Sequence, residues 1–226
     1  EQKNIAGRTS FGDNISIVVN VTGETVAEWT SDGVNANAVA LTQGTYTLTE
    51  TTAPDGYLKA ESITFEVDKN GNVTVTSETG EVKDGKHVYM YDDYTKVEIS
   101  KVHIVDESTT KLIGGAELEI YKADDWNTEA NAPNEGAKSV EQWTSEEGKT
   151  HTINALPAGD YYLVETSSPN GYTITEAVKF TVDGTTNKIQ QVEMKDDISR
   201  VNISKVDIDS TSTVVAGATM QLTSDD

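Results

Sequence analysis

The chain repeats itself, and the order of the repeats limits what it can fold into. Three blocks recur. The first is Val97-Glu-Ile-Ser-Lys101-Val, matched by Val201-Asn-Ile-Ser-Lys205-Val. Each copy is followed by a small-residue turn, at Gly115-Ala116 and at Gly217-Ala218. The second block is Gly44-Thr-Tyr-Thr-Leu-Thr-Glu50-Thr-Thr-Ala-Pro-Asp-Gly-Tyr57, matched by Gly159-Asp-Tyr-Tyr-Leu-Val-Glu165-Thr-Ser-Ser-Pro-Asn-Gly-Tyr172. The third is Val88-Tyr-Met-Tyr-Asp92-Asp, matched by Val192-Glu-Met-Lys-Asp196-Asp. Trp29-Thr-Ser and Trp143-Thr-Ser also correspond.

Residues 94–197 hold all three blocks in sequence and read as one whole unit. Residues 1–93 hold the second and third blocks but lack the lysine-bearing first. Residues 198–226 hold the first block alone, the opening strands of a further unit. Within each unit, short alternating runs are punctuated by Asp-Gly and Asn-Gly turns, such as Asp55-Gly56, Asn70-Gly71 and Asn170-Gly171. No long helix-period segment competes with them. The expected fold is all-β: tandem immunoglobulin-like or prealbumin-like sandwiches arranged as a rod.

Strand alternation decides which side chains share a face. In Val97, Ile99, Lys101 the apolar residues set the inward face and the lysine falls on it. The same rule turns Glu165 inward after Tyr161 and Leu163, and Asp196 inward after Val192 and Met194. Asp197 should face out. Residues 1–93 repeat the pattern with Glu50 and Asp92, and the tail supplies Lys205. Burial of such charges is costly unless they pair or become neutral. A lysine in an apolar core is pushed toward the free amine, and a glutamic acid toward its protonated form. Two outcomes remain open from the pattern alone. One is a buried ionic cluster. The other is an amide, made when the amine attacks the aspartic carboxyl and expels water, with the glutamic acid polarising the carbonyl and carrying protons.

The sequence of Lys101, Gly-Ala, Tyr-x-Leu-x-Glu-x-x-x-Pro-x-Gly-Tyr and Val-x-Met-x-Asp resembles the Cna B-type, or SpaA-like, domain of Gram-positive surface adhesins and pilins. The resemblance covers nearly all of residues 97–197, most of 29–93 and part of the tail. It implies a prealbumin-like sandwich and an intramolecular isopeptide bond: Lys101 as amine, Asp196 as acceptor, Glu165 as promoter. The family more often uses asparagine as acceptor. With aspartate here, water rather than ammonia would leave.

The same resemblance gives residues 1–93 a promoter, Glu50, and an acceptor, Asp92, without a lysine strand. Lys3 precedes an unmatched segment and is expected to be a poor substitute. Four residues link the whole unit to the tail, a reach of about 14 Å. The tail is therefore not expected to close onto residues 1–93 of its own chain unless the units fold back on each other. Donated to the next molecule, it would place Lys205 beside Asp92 and Glu50 in a head-to-tail fibre of identical subunits. The expected partners are thus copies of the chain itself.

Composition excludes several other classes. A formal net charge of −21 opposes binding to nucleic acid or anionic membranes. With no cysteine, disulfides and thiol chemistry are absent, so a small extracellular domain would need another staple. No apolar run is long enough to span a membrane. No secretory signal or Leu-Pro-x-Thr-Gly sorting signal is visible, so a mature or excised extracellular segment is expected. His87, His103 and His151 form no metal-ligand motif, and no cofactor or metal is expected. Asp68-Lys-Asn70-Gly71-Asn72 faintly resembles a calcium loop but reads better as a hairpin turn. The alternative function is a fragment of a longer tandem-repeat adhesin stalk that binds a host protein or glycan, through loops near Trp126 and the insert 127–138. A glycoside hydrolase using Glu165 and Asp196 as its acid pair is disfavoured by Lys101 between them.

Overall fold

The computed structural model describes residues 14–19, 23–105 and 109–223. Lys3 lies outside them. Seven strands come from the first unit: β1 Asn14–Val19, β2 Thr25–Thr30, β3 Gly44–Thr52, β4 Ile63–Val67, β5 Val73–Val75, β6 Glu81–Lys83 and β7 His87–Tyr89. The second unit contributes β8 Lys96–Ile104, β9 Thr110–Leu112, β10 Glu117–Lys122, β11 Trp126–Asn127, β12 Ala132–Pro133, β13 Glu141–Thr144, β14 His151–Asn154, β15 Gly159–Ser167, β16 Val178–Val182 and β17 Ile189–Asp196. A terminal hairpin, β18 Val206–Asp207 and β19 Ser210–Val214, follows.

The second unit is a two-sheet sandwich. One sheet runs β13-β10-β15-β16 and the other β14-β8-β17, with β9 on the end of β8. The inner faces carry the alternating apolar residues: Val97 and Ile99 of β8, Leu118 and Ile120 of β10, Tyr161 and Leu163 of β15, and Met194 of β17 form one core cluster. Every pairing is antiparallel except β8 with β17, which is parallel and places Met194 opposite Lys101 and Asp196 opposite His103. The first and last strands of the unit are therefore side by side and point the same way.

The first unit reproduces one of these sheets. Its order β2-β1-β3-β4 corresponds strand for strand to β13-β10-β15-β16, and β3 and β15 share the burial pattern of their last seven residues. Tyr46 donates to Thr42 O at 2.9 Å, as Tyr161 donates to Pro157 O at 2.8 Å. Trp29 and Trp143, which correspond in sequence, both pack against the core of their own unit. Among the described residues no strand of the first unit corresponds to β8. A groove of about 460 Å3, lined in part by Leu48, Phe65, Val88 and Met90, opens on that side. Asp68 caps the β4–β5 turn by accepting from the backbone N–H of Asn70 and Asn72, both at 2.8 Å, so this segment is the expected hairpin.

The joint between the units is built from backbone. Thr95 N–H donates to Gly56 O (3.1 Å), Ala155 N–H donates to Thr95 O (2.8 Å), and the buried Thr95 hydroxyl donates to Leu156 O. Gly56 has φ +85° and is buried; a Cβ there would lie 2.2 Å from Ala155 O. Only glycine fits where two backbones meet this closely. Gly56→Val should therefore open the joint while leaving both cores intact. Small-angle scattering is expected to show a wider spread of inter-unit distances at an unchanged melting temperature of the second unit. An unchanged scattering profile would contradict this account.

Candidate functional site: a buried lysine between two carboxyls

Three strands deliver three polar side chains to one dry point of the second unit. Lys101 from β8 and Asp196 from β17 come from adjacent parallel strands of one sheet, and Glu165 of β15 reaches across from the facing sheet. Their side chains are 0–2% exposed. Lys101 Nζ donates to Asp196 Oδ1. It also lies 3.0 Å from Glu165 Oε1, inside ion-pair distance though outside hydrogen-bond angles. Glu165 is oriented by its other oxygen, which accepts from Thr175 N–H at 2.8 Å. Asp196 Oδ2 is buried without a hydrogen-bond partner.

Charge counting explains the protonation state this cluster prefers. An ammonium and two carboxylates would leave one uncompensated negative charge in an apolar interior, which is costly. Burial pushes the Glu165 carboxyl above its usual range and the Asp196 charge adds to that, while Thr175 N–H and Lys101 pull the other way. With Glu165 protonated, the cluster is neutral overall. Lys101 and Asp196 then hold an amine-bearing and a carboxyl-bearing side chain in contact, the two functional groups of a condensation.

Lys101, Glu165 and Asp196 converge at this point. Asp197 faces outward, exposed and bonded to Arg200 at 2.8 Å. In the first unit Glu50 is fully buried and accepts from Ala60 N–H at 2.5 Å, the counterpart of the Glu165–Thr175 bond at the same spacing. Asp92 is partly buried, and Lys205 lies exposed on the terminal segment. The two amides that hold the glutamates were not read from sequence. Their signal is the Pro-x-Gly-Tyr turn after each Glu, which returns the chain so that a residue ten positions on meets the carboxyl.

The Glu165 and Asp196 side chains are fully buried, so neither carboxyl meets a sugar at the surface as the acid pair of a glycosidase must. Trp126 is buried and stacks on Tyr162 at 4.8 Å, so its indole is a packing element and not an exposed ligand contact. Among the described residues no cluster of His, Asp and Glu could hold a metal ion, and no helix is long and apolar enough to cross a membrane.

Fold and site together define a tandem sandwich protein with a lysine–acid cluster inside its complete unit. The family profile described as SpaA, prealbumin-like fold domain, matches residues 12–81 and 95–198. The chain belongs to this family. No curated protein sequence matches it. Among solved structures it is similar to the Bacillus anthracis TIE protein, at 27% identity over 84% of this chain and 32% of that one, with a TM-score of 0.45. It thus spans about a third of that protein's length. It is also similar to GBS52, a minor pilin of Streptococcus agalactiae (14% identity, 88% of each chain, TM-score 0.39). A third is the group B streptococcus pilus 2b backbone protein (17% identity, 84% of this chain and 79% of that one, TM-score 0.39).

The raised Glu165 gives a signed prediction. A carboxyl whose folded pKa lies above its unfolded value contributes stability below the unfolded pKa, and that stability is lost as pH rises through the folded one. In Lys101→Met the amine that pulls against burial is gone, and Glu165 keeps only the Thr175 N–H and its neighbour Asp196. This variant should be more resistant to urea at about pH 4 than at about pH 7. Equal midpoints would mean that Glu165 ionises inside the core as freely as in water.

Proposed function

We propose that the chain is a structural subunit of an extracellular surface fibre, and that Lys101 and Asp196 form an amide in its second unit. The observation that carries this reading is the position of Lys101 Nζ between two buried carboxyls. The reaction balances as amine plus carboxylic acid to amide plus water. The Nζ–Cγ bond forms as Asp196 loses its hydroxyl, and the Nζ proton departs with it. Glu165 donates to the Asp196 carbonyl while the amine attacks and returns the proton to the leaving oxygen. Fixed proximity supplies roughly 7–11 kcal/mol of such a barrier. The protein acts on itself once and turns over no substrate.

The mechanical consequence follows from topology. The bond would join residues 95 positions apart, and by analogy with disulfides of that loop size would stabilise the unit by about 4–5 kcal/mol. Tension enters the unit at β8 and leaves at the end of β17. With the amide in place it would pass from Lys96 to Lys101, across the bond to Asp196, and out. The rest of the sandwich would carry no load. This supports a load-bearing stalk.

Intact mass spectrometry tests the bond: the protein should be one water lighter than its sequence, and Glu165→Ala should restore that water. Full sequence mass with a free Lys101 amine would sink the reading. In force spectroscopy the wild-type second unit should not extend, whereas Glu165→Ala should release about 300 Å of chain. Denaturing gels test the head-to-tail link expected between Lys205 and Asp92. A ladder whose crosslinked peptides pair these residues from two chains supports it. A single monomer band removes it and leaves the Lys101–Asp196 bond standing.

A further inference from the structure

His103 stands two residues beyond Lys101 on β8, one step further along the same face. In the parallel register of β8 and β17 it is paired with Asp196, as Lys101 is paired with Met194. Paired residues of parallel strands point to the same side of the sheet, and neighbouring strands lie about 4.8 Å apart. His103 and Asp196 are therefore neighbours on the face that carries the cluster. Two buried atoms meet in this neighbourhood without a hydrogen-bond partner among the described residues: Asp196 Oδ2 and His103 Nδ1. No hydrogen bond joins them directly. The third such atom of the cluster, Glu165 Oε1, faces Lys101 Nζ at 3.0 Å.

The imidazole is held in place from outside the cluster. Tyr172 meets it edge to face at 5.5 Å, and Tyr172 is itself tied to Ile198 by a backbone bridge. On the other flank of β8, the register partner of His103 is Lys111 of β9, whose ammonium is engaged by Glu147 at 2.7 Å. The titratable groups around the ring are thus Asp196, Tyr172 and Lys111, with Lys101 and Glu165 beyond Asp196. A buried polar atom left without a partner is costly. One water placed between two such atoms satisfies both.

We propose that His103 is a positioning residue for the condensation: through one bridging water, its Nδ1 holds Asp196 Oδ2, the oxygen that leaves. The role rests on the amide proposed above. Lys101 Nζ engages Oδ1, on the side from which Glu165 polarises the carbonyl, and Oδ2 is left for His103. The Nζ–Cγ bond forms and the Cγ–Oδ2 bond breaks. Oδ2 departs as water with its own proton and one from Nζ. The bridge fixes the plane of the carboxyl, so that Cγ faces the amine, and it stabilises charge developing on the departing oxygen. An aspartate acceptor has particular need of such a group. The two oxygens of a carboxyl are alike until their surroundings tell them apart, whereas the oxygen and nitrogen of an asparagine differ beforehand.

Two measurements test this, and one does not depend on the amide. In Lys101→Met no amine can react, and both unpartnered atoms remain. Its crystal structure should show one ordered water within hydrogen-bond distance of His103 Nδ1 and Asp196 Oδ2. A structure in which no water bridges them overturns the proposal. The second measurement follows the reaction. Chains are quenched from cell-free synthesis into concentrated urea, where the cluster does not exist, and refolded by dilution. Those still at full mass are followed by intact mass spectrometry as they lose one water. His103→Phe keeps a ring against Tyr172 but no polar atom, and His103→Asn keeps a polar atom at the δ position. The Phe variant should lose water at least about tenfold more slowly than wild type, and the Asn variant should recover most of the rate. A wild-type rate in His103→Phe overturns the positioning role, and so does an Asn variant as slow as the Phe one. Should His103→Phe fail to refold, the crystal structure decides. A wild-type chain that keeps its full mass overturns the amide and this role together, which sets that failure apart from the others.

Discussion

A lysine held between two carboxyls in a dry interior is the constraint around which the second unit is arranged. Such a cluster persists only where its charges cancel and its geometry is fixed. Here that takes three strands in two facing sheets. Two are adjacent parallel strands, and the third crosses the core with its carboxyl pinned by Thr175. The core apolar residues Ile99, Leu163 and Met194, each no more than 1% exposed, exclude water from the same place. Packing and chemistry are thus inseparable: the residues that stabilise the sandwich also raise the Glu165 carboxyl above its usual range.

The parallel pairing of β8 with β17 matters as much as the cluster. Because the first and last strands of the unit lie side by side, a bond between them would take the unit's interior out of the path of any pull on the chain. A bond between two consecutive strands of a hairpin would leave the rest of the sandwich under load. The joint obeys a related economy. Gly56, Thr95 and Ala155 join the two units through main-chain contacts, and Asn187 Nδ2 donates to Asp93 across the same joint.

Much of this was legible because two periodicities overlap. The two-residue period of strands assigned Lys101, Glu165 and Asp196 to the inward face, and turned Asp197 outward. The longer repeat then showed which segments were equivalent, so Glu50 could be placed by its likeness to Glu165. Trp29 and Trp143 were matched by the same correspondence, and each packs against the core of its own unit. Trp126 was not matched. It has no counterpart in the first unit, and only the tertiary structure shows its indole buried, stacked on Tyr162.

By itself, the sequence determined the all-β class and the two-residue alternation along its strands, because alternation is a local property of an extended backbone; it did not settle Asp92, which is partly buried, or Lys205, which is exposed. Only the tertiary structure decided that β8 and β17 are parallel neighbours, that Glu165 approaches from the opposite sheet, and that Gly56 meets Ala155. These are contacts between segments distant along the chain. Their pairing is chosen by how two sheets close over one core, and no local pattern encodes it.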